Sequence, residues 1–253
     1  MTSLKTPFIV LQRRGFSTGT RGARGHGWLT NFREGKGGRH LQGEYFDRSQ
    51  SDALAWNRAV LELGSKRVHM KVVAEPKSST EQTASLDNLT GAAFDLEIDV
   101  ASAVFPETVE NFVQLLQEKY RGTRLYRVER NVGFYGGDVV TNTGKAGHSA
   151  GDFPRLATTR DLSSALWHVP GTISMVVPTV GEIDSRFLLC SHYAPHLDGI
   201  HRAFGMLTDD SLSLVKEWHD TLWTTYGVPA GFDLILTKGG VVDESHSSSS
   251  QAA

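Results

Sequence analysis

Residues 120–138, YRGTRLYRVERNVGFYGGD, hold the most concentrated chemistry in the chain. Arg124 to Glu129 alternates in character, so a strand there would put Leu125 and Arg127 on one face. Arg127 carries a permanent cation with five donor N–H groups. An arginine on a strand is also the ordinary furniture of a protein surface. Gly136, Gly137 and Asp138 close the stretch where backbones must turn or approach closely. Gly133 to Gly137 lacks the Lys-Ser/Thr and following helix of a phosphate loop, and no nucleophile elbow supports Ser/His/Asp catalysis. Ten histidines are scattered along the chain. His192 and His196 have i,i+4 spacing but fall in a loop containing Pro195, and no third ligand joins a pair at a metal spacing. The sequence therefore leads us to expect neither metal nor cofactor. The single cysteine, Cys190, lies in the apolar run Phe187-Leu188-Leu189-Cys190, which reads as a buried, inert thiol and excludes an internal disulfide framework.

The elements that position this stretch are legible on both sides of it. Arg67 to Val73 and Ala93 to Val100 alternate as strands. Polar residues from Glu75 to Thr90 read as a surface-loop insertion between them. Pro106 opens a helix that runs through Lys119, at a position where its missing N–H costs nothing. Gly144 to Gly151 reads as a flexible loop. Gly171 to Val177 and Ser185 to Ser191 read as buried strands, and Phe232 to Thr237 as the last. Asp209 or Asp210 is expected to cap a helix reaching about Tyr226, with Leu212, Leu214, Val215, Trp218 and Leu222 on its apolar side. Further upstream, Ser51-Asp52 offers a cap for a helix over Ala53 to Leu63, ended by Gly64.

In chain order, Pro106-Glu107-Thr108-Val109-Glu110-Asn111-Phe112, the 120–138 stretch, Gly171 to Met175, Ser185 to Cys190 and Leu197 to Gly205 resemble five landmarks of the cyclophilin family. That family carries P-x-T-x-E-N-F, Y-K-G…F-H-R…Q-G-G-D, G-x-L-S-M, S-Q-F-F-I and L-D-G-K-H-x-x-F-G. The resemblance covers about residues 66–242. It implies a mainly β fold: a closed eight-stranded antiparallel barrel capped by two helices, here with an N-terminal extension. It also implies peptidyl-prolyl isomerase activity on proline-containing peptide segments. Rotation about an X–Pro bond meets a barrier of about 18–20 kcal/mol from amide resonance. A catalyst needs a donor aimed at the prolyl nitrogen, an apolar slot for the ring and anchors for the flanking peptide. Arg127 stands at the family's catalytic arginine, nine residues before Gly136 as in the motif. The substrate-binding positions fall on Val132, Tyr135, Val176, Arg186, Leu188, His196, Leu197 and His201. Most of them depart from the pattern. Val132 and Gly133 replace Phe-Met, Tyr135 and Arg186 replace glutamines, Leu188 replaces Phe, Val176-Val177 replace Ala-Asn, and His196 replaces the common Trp. Only Leu197 and His201 match. Each lost ring removes about 1–2 kcal/mol of contact at ~25 cal/mol per Å², so the expected activity is weak or residual. The alternative is a cyclophilin-like accessory or structural subunit whose catalysis has degraded.

The 253 residues, 39% of them hydrophobic, are ample for one such domain and leave an extension. The net charge of −2 hides an asymmetry. Residues 1–40 hold eight Lys/Arg against one acid, Glu34, which leaves 18 basic and 27 acidic residues in the remainder, a net of −9. An acid-poor start with Arg14-Gly15-Phe16-Ser17 has the composition of a mitochondrial presequence, assigned to residues 1–19, and implies the matrix. Pro7 weakens the helix that import prefers. Residues 20–65 combine a Gly/Arg-rich arm, interspersed with Trp28, Phe32, Tyr45 and Phe46, with the short helix. They suit docking on a large mitochondrial protein complex. The later acidic excess argues against nucleic acid. No apolar run approaches the ~20 residues of a membrane span. Residues 243–253 form a Ser-rich tail expected to be disordered.

Overall fold

The computed structural model describes residues 49–77, 93–157, 166–179, 181–222 and 224–242. The presequence, the arm up to residue 48, the tail and most of the insertion loop expected between the first two strands lie outside these described residues. Helix α1 spans Gln50–Glu62. Its cap is Ser49, whose hydroxyl accepts the Asp52 N–H at 3.2 Å, two residues earlier than the Ser51 expected from sequence. Strand β1 (Lys66–Pro76) pairs antiparallel with β2 (Ala93–Val100) in a continuous register from Lys66↔Val100 to Val73↔Ala93. The alternation that marks both as strands is a burial alternation: Val68, Met70, Val72, Leu96 and Ile98 are fully buried.

Helix α2 (Pro106–Glu118) starts on its proline and buries Val109, Phe112, Leu115 and Leu116 at helical spacing. The central part of the sheet follows: β3 (Arg127–Glu129), β4 (Gly133–Gly136), β6 (Thr172–Met175), β8 (Phe187–Cys190) and β9 (Arg202–Leu207). Two short strands, β5 (Leu156–Ala157) and β7 (Glu182–Ile183), pair apart from it. Helix α3 (Asp209–Thr221) is capped by the Thr208 hydroxyl and ends five residues before the expected Tyr226. The chain instead turns at Tyr226 and Gly227, both at positive φ, so that β10 (Thr224–Thr225) and β11 (Val228–Pro229) form a tight hairpin. The last strand, β12 (Phe232–Val241), pairs with β1 across a bulge at Lys71/Val72.

These strands form one eight-stranded antiparallel sheet in the order β12-β1-β2-β9-β6-β8-β4-β3. The expected closed barrel is corrected here. The sheet curls into a half-barrel whose edges, β12 and β3, do not pair as strands. The reason is local: β3 has only three residues, and the chain entering it, after a turn at Arg121 and Gly122, forms no ladder. Gly122 and Leu125 donate to the Leu236 and Leu234 carbonyls at 2.7 and 2.8 Å, and a lone bridge joins Arg124 to Ile235. These bonds stitch the gap without extending a ladder.

The core lies inside this curl. Phe112 meets Phe204, Tyr120 and Phe187 with ring centroids 5.0, 5.7 and 6.1 Å apart in tilted or edge-on arrangements, the geometry that ring quadrupoles favour. Helix α1 joins the same core through Ala53 and Val60.

Candidate functional site

Strands β3, β4 and β8 build the site by register. Arg127 lies opposite Tyr135, and Tyr135 opposite Leu188. Period-2 alternation then sends Val128, Phe134, Phe187 and Leu189 into the main core. The other face carries Arg127, Glu129, Tyr135, Leu188 and Cys190. The ladder is tight at Gly133, where any Cβ would collide with the Leu189 carbonyl oxygen. That close approach explains a glycine at a position where the family has a methionine.

The outer face holds a second apolar cluster of Val132, Leu188, Cys190, Ala194 and Leu197, with Tyr135 packed against it. The three residues expected to outline the ring slot, Val132, Leu188 and Leu197, are thus brought together. They are also packed shut, at 3%, 0% and 8% exposure. Burial drives the Cys190 thiol pKa well above its ordinary range, as an inert core thiol requires.

Arg127 keeps 57% of its side chain exposed, with its guanidinium carbon 5.6 Å from the centre of the Tyr135 ring. One nitrogen lies 3.1 Å from the Glu129 carboxylate. Glu129 also bears on Tyr135: burial raises that phenol's pKa, and the Glu129 charge and hydrogen bond raise it further. The Glu129 carboxylate therefore engages both the cation and the phenol. Glu129 is a site residue the sequence reading passed over. Its signal was the Arg-x-Glu spacing on a strand, which places both charges on one face.

Arg186, with 15% of its side chain exposed, is engaged within the fold. Its Nη2 donates to Asp184 at 2.7 Å, its Nε lies 3.1 Å from the same oxygen, and its Nη1 donates to the Gly144 carbonyl at 3.0 Å. Val176 donates its N–H to the Arg186 carbonyl at 2.9 Å just beyond β6. Asp138, the acid after the paired glycines, organises the following loop. It accepts the N–H groups of Val140, Thr141 and Gly144 at 3.0, 2.7 and 2.7 Å, together with the Thr141 hydroxyl. Burial pushes its carboxyl pKa up, but these donors outweigh burial and hold it far below the usual carboxylate range.

A 3₁₀ turn, Pro195–Leu197, delivers Leu197 to the cluster and leaves His196 exposed. Beneath it, His168 Nδ1 lies 2.7 Å from Asp198 Oδ1, both side chains being buried. The His201 ring is 6.5 Å from that of His168, and its buried Nδ1 finds no partner among the described residues. Burial pushes the His201 imidazole down to about 4, with the neighbouring His168 acting in the same direction. Of the expected residues, the fold therefore gathers Arg127, Val132, Tyr135, Leu188 and Leu197 on one face. It ties Val176 and Arg186 into the scaffold and sets His196 and His201 at the rim. A separate cavity of about 310 Å³, lined by Glu107, Glu110, Asn111, Gln114, Phe153 and Arg155 among others, contains none of them.

One grouping was invisible in the sequence. His192 is joined not by His196 but by His219 and Asp220 from the last turn of α3, with one donor atom from each lying within 4.8 Å of the others.

Residues 86–230, more than half of the chain, match the family described as cyclophilin type peptidyl-prolyl cis-trans isomerase/CLD. Over 118 residues the chain is 36% identical to a peptidyl-prolyl cis-trans isomerase of Synechococcus elongatus, a match covering 44% of this chain and 72% of that protein. A peptidyl-prolyl cis-trans isomerase of Helicobacter pylori is 34% identical over 115 residues, covering 44% of this chain and 66% of that protein. The human NK-tumor recognition protein is 30% identical over 139 residues, but this stretch is 45% of the present chain and only 9% of that much longer protein. With the motif order, the curled antiparallel sheet and Arg127 at the edge of an apolar face already in place, these matches are decisive: the chain belongs to the cyclophilin-type peptidyl-prolyl cis-trans isomerase family.

Proposed function

We propose that the β3–β4–β8 face binds proline-containing peptide segments and isomerises their X–Pro bonds slowly, with Arg127 as the catalytic donor. The observation that carries this reading is the exposed Arg127 guanidinium, standing beside the cluster of Val132, Tyr135, Leu188 and Leu197. As the amide twists, resonance is lost and the prolyl nitrogen becomes a hydrogen-bond acceptor. A fixed cationic N–H aimed there favours the twisted state over the planar one. Two features limit the rate. Glu129 competes for the guanidinium, and the packed cluster offers the pyrrolidine ring a surface to lie on rather than a slot to enter. The test is a proline-peptide exchange assay on the wild type and Arg127→Ala. A weak wild-type rate that vanishes in the variant is expected; equal rates would remove the isomerase reading.

The packed slot and the ion-paired arginine also favour a second reading, in which the domain serves as an accessory or structural subunit of a mitochondrial assembly. The basic start and the aromatic arm of residues 20–49 support the location and the docking role. N-terminal sequencing of the mature protein should find a start near Phe16–Ser17. An intact Met1 in a cytosolic pool would overturn the location.

A further inference from the structure

His192 follows β8 and its neighbour Ser191, while His219 and Asp220 close α3. The two imidazole rings lie 4.5 Å apart, centre to centre, and His219 Nδ1 lies 3.8 Å from Asp220 Oδ1. The hydrogen bonds around the rings decide which nitrogens are free. His219 Nε2 lies 3.3 Å from the Glu129 carbonyl, which can only accept, so this nitrogen carries the proton and leaves Nδ1 with its lone pair. The Ser191 hydroxyl donates to the Val132 carbonyl at 3.4 Å, which leaves its oxygen to accept from His192 Nδ1 at 2.9 Å. His192 Nε2 is then the unprotonated nitrogen. Both rings are thus held by their far nitrogen, the arrangement that orients histidine ligands in metal sites.

We infer that His192 Nε2, His219 Nδ1 and the Asp220 carboxylate form a binding site for a divalent transition ion of the zinc type. Two neutral imidazoles and one carboxylate suit Zn²⁺ or Co²⁺, with water as the fourth ligand, and do not suit the all-oxygen preference of Ca²⁺ or Mg²⁺. Tetrahedral coordination with bonds of about 2.0–2.1 Å puts ligand atoms about 3.3 Å apart. One ligand atom from each residue already lies within 4.8 Å of the others, so that small side-chain rotations close the three on an ion. The last turn of α3 adds the negative end of the helix dipole. One cation acts against the site: Lys216, on the same helix, bears electrostatically on His192. An ion here would clamp the end of α3 to the loop after β8. Through the Glu129 carbonyl it would also brace the strand that carries Arg127. This site does not depend on the isomerase reading.

The experiment is a Co²⁺ titration of the untagged, chelator-stripped full chain, followed by displacement with Zn²⁺. One equivalent of Co²⁺ with the intense visible bands of a tetrahedral site is expected, and Zn²⁺ should abolish those bands. Asp220→Asn, at an exposed position, should weaken binding by about tenfold or more, and His192→Gln should remove the bands. Lys216→Gln should tighten binding. The proposal is overturned if the wild type takes up no stoichiometric ion, or if His192→Gln keeps the wild-type spectrum and affinity.

Discussion

At the scale of single residues, the proposed chemistry turns on Arg127 and Glu129. Both side chains are substantially exposed, so their ion pair is worth only about 0–1 kcal/mol. Freeing the guanidinium therefore costs little, and Glu129→Gln is expected to raise the isomerisation rate by up to about fivefold. A rate that falls would show that the carboxylate positions Arg127 instead of competing for it. His201 gives a pH signature. Burial holds its folded-state imidazole at about 4, whereas an unfolded chain titrates near 6.5. Below pH 6.5 the unfolded state takes up the proton first, so this group costs stability as pH falls and contributes nothing above that range. The loss should reach about 2 kcal/mol at pH 5 relative to pH 7.5. Urea unfolding at the two values measures it, and His201→Gln should flatten the difference.

Among the elements, the β4–β8 pair explains why restoring the lost rings is no simple repair. Leu188 is fully buried between Val132, Cys190, Ala194 and Leu197, so the site has contracted around its smaller side chains. Val132→Phe with Leu188→Phe should therefore overpack the cluster and lower unfolding free energy by about 1–3 kcal/mol without raising the isomerisation rate. A stable variant with a faster rate would mean that the cluster opens readily and that the loss was one of ring area alone.

For the molecule as a whole, α1 is part of the packed domain. Asn57 is fully buried, accepts the Trp167 N–H at 2.8 Å and donates to the Trp167 carbonyl at 2.9 Å, spanning 110 residues of sequence. Asn57→Ala should cost about 1–3 kcal/mol through those buried hydrogen bonds. It should also speed proteolytic loss of the helix. Unchanged denaturant midpoints and cleavage rates would show that α1 rests on the domain without bracing it.

The sequence by itself determined the family, through five motifs in order that also singled out Arg127, together with six of the eight strands of the main sheet and two helices. The strands and helices rest on short-range signals: alternation, a proline at a helix start, glycines where backbones meet. It also placed Val132, Leu188 and Leu197 together through the motif they resemble. Only the tertiary structure decided that this cluster is packed shut, because burial depends on what neighbouring strands contribute to the same face. It alone showed that the sheet stays open, since a three-residue β3 leaves its edge to a single bridge. The anchoring of α1 by Asn57 and the meeting of His192 with His219 and Asp220 were likewise beyond the sequence. Those contacts join residues far apart along the chain, and no periodicity encodes which distant side chains a fold will bring within a few ångströms.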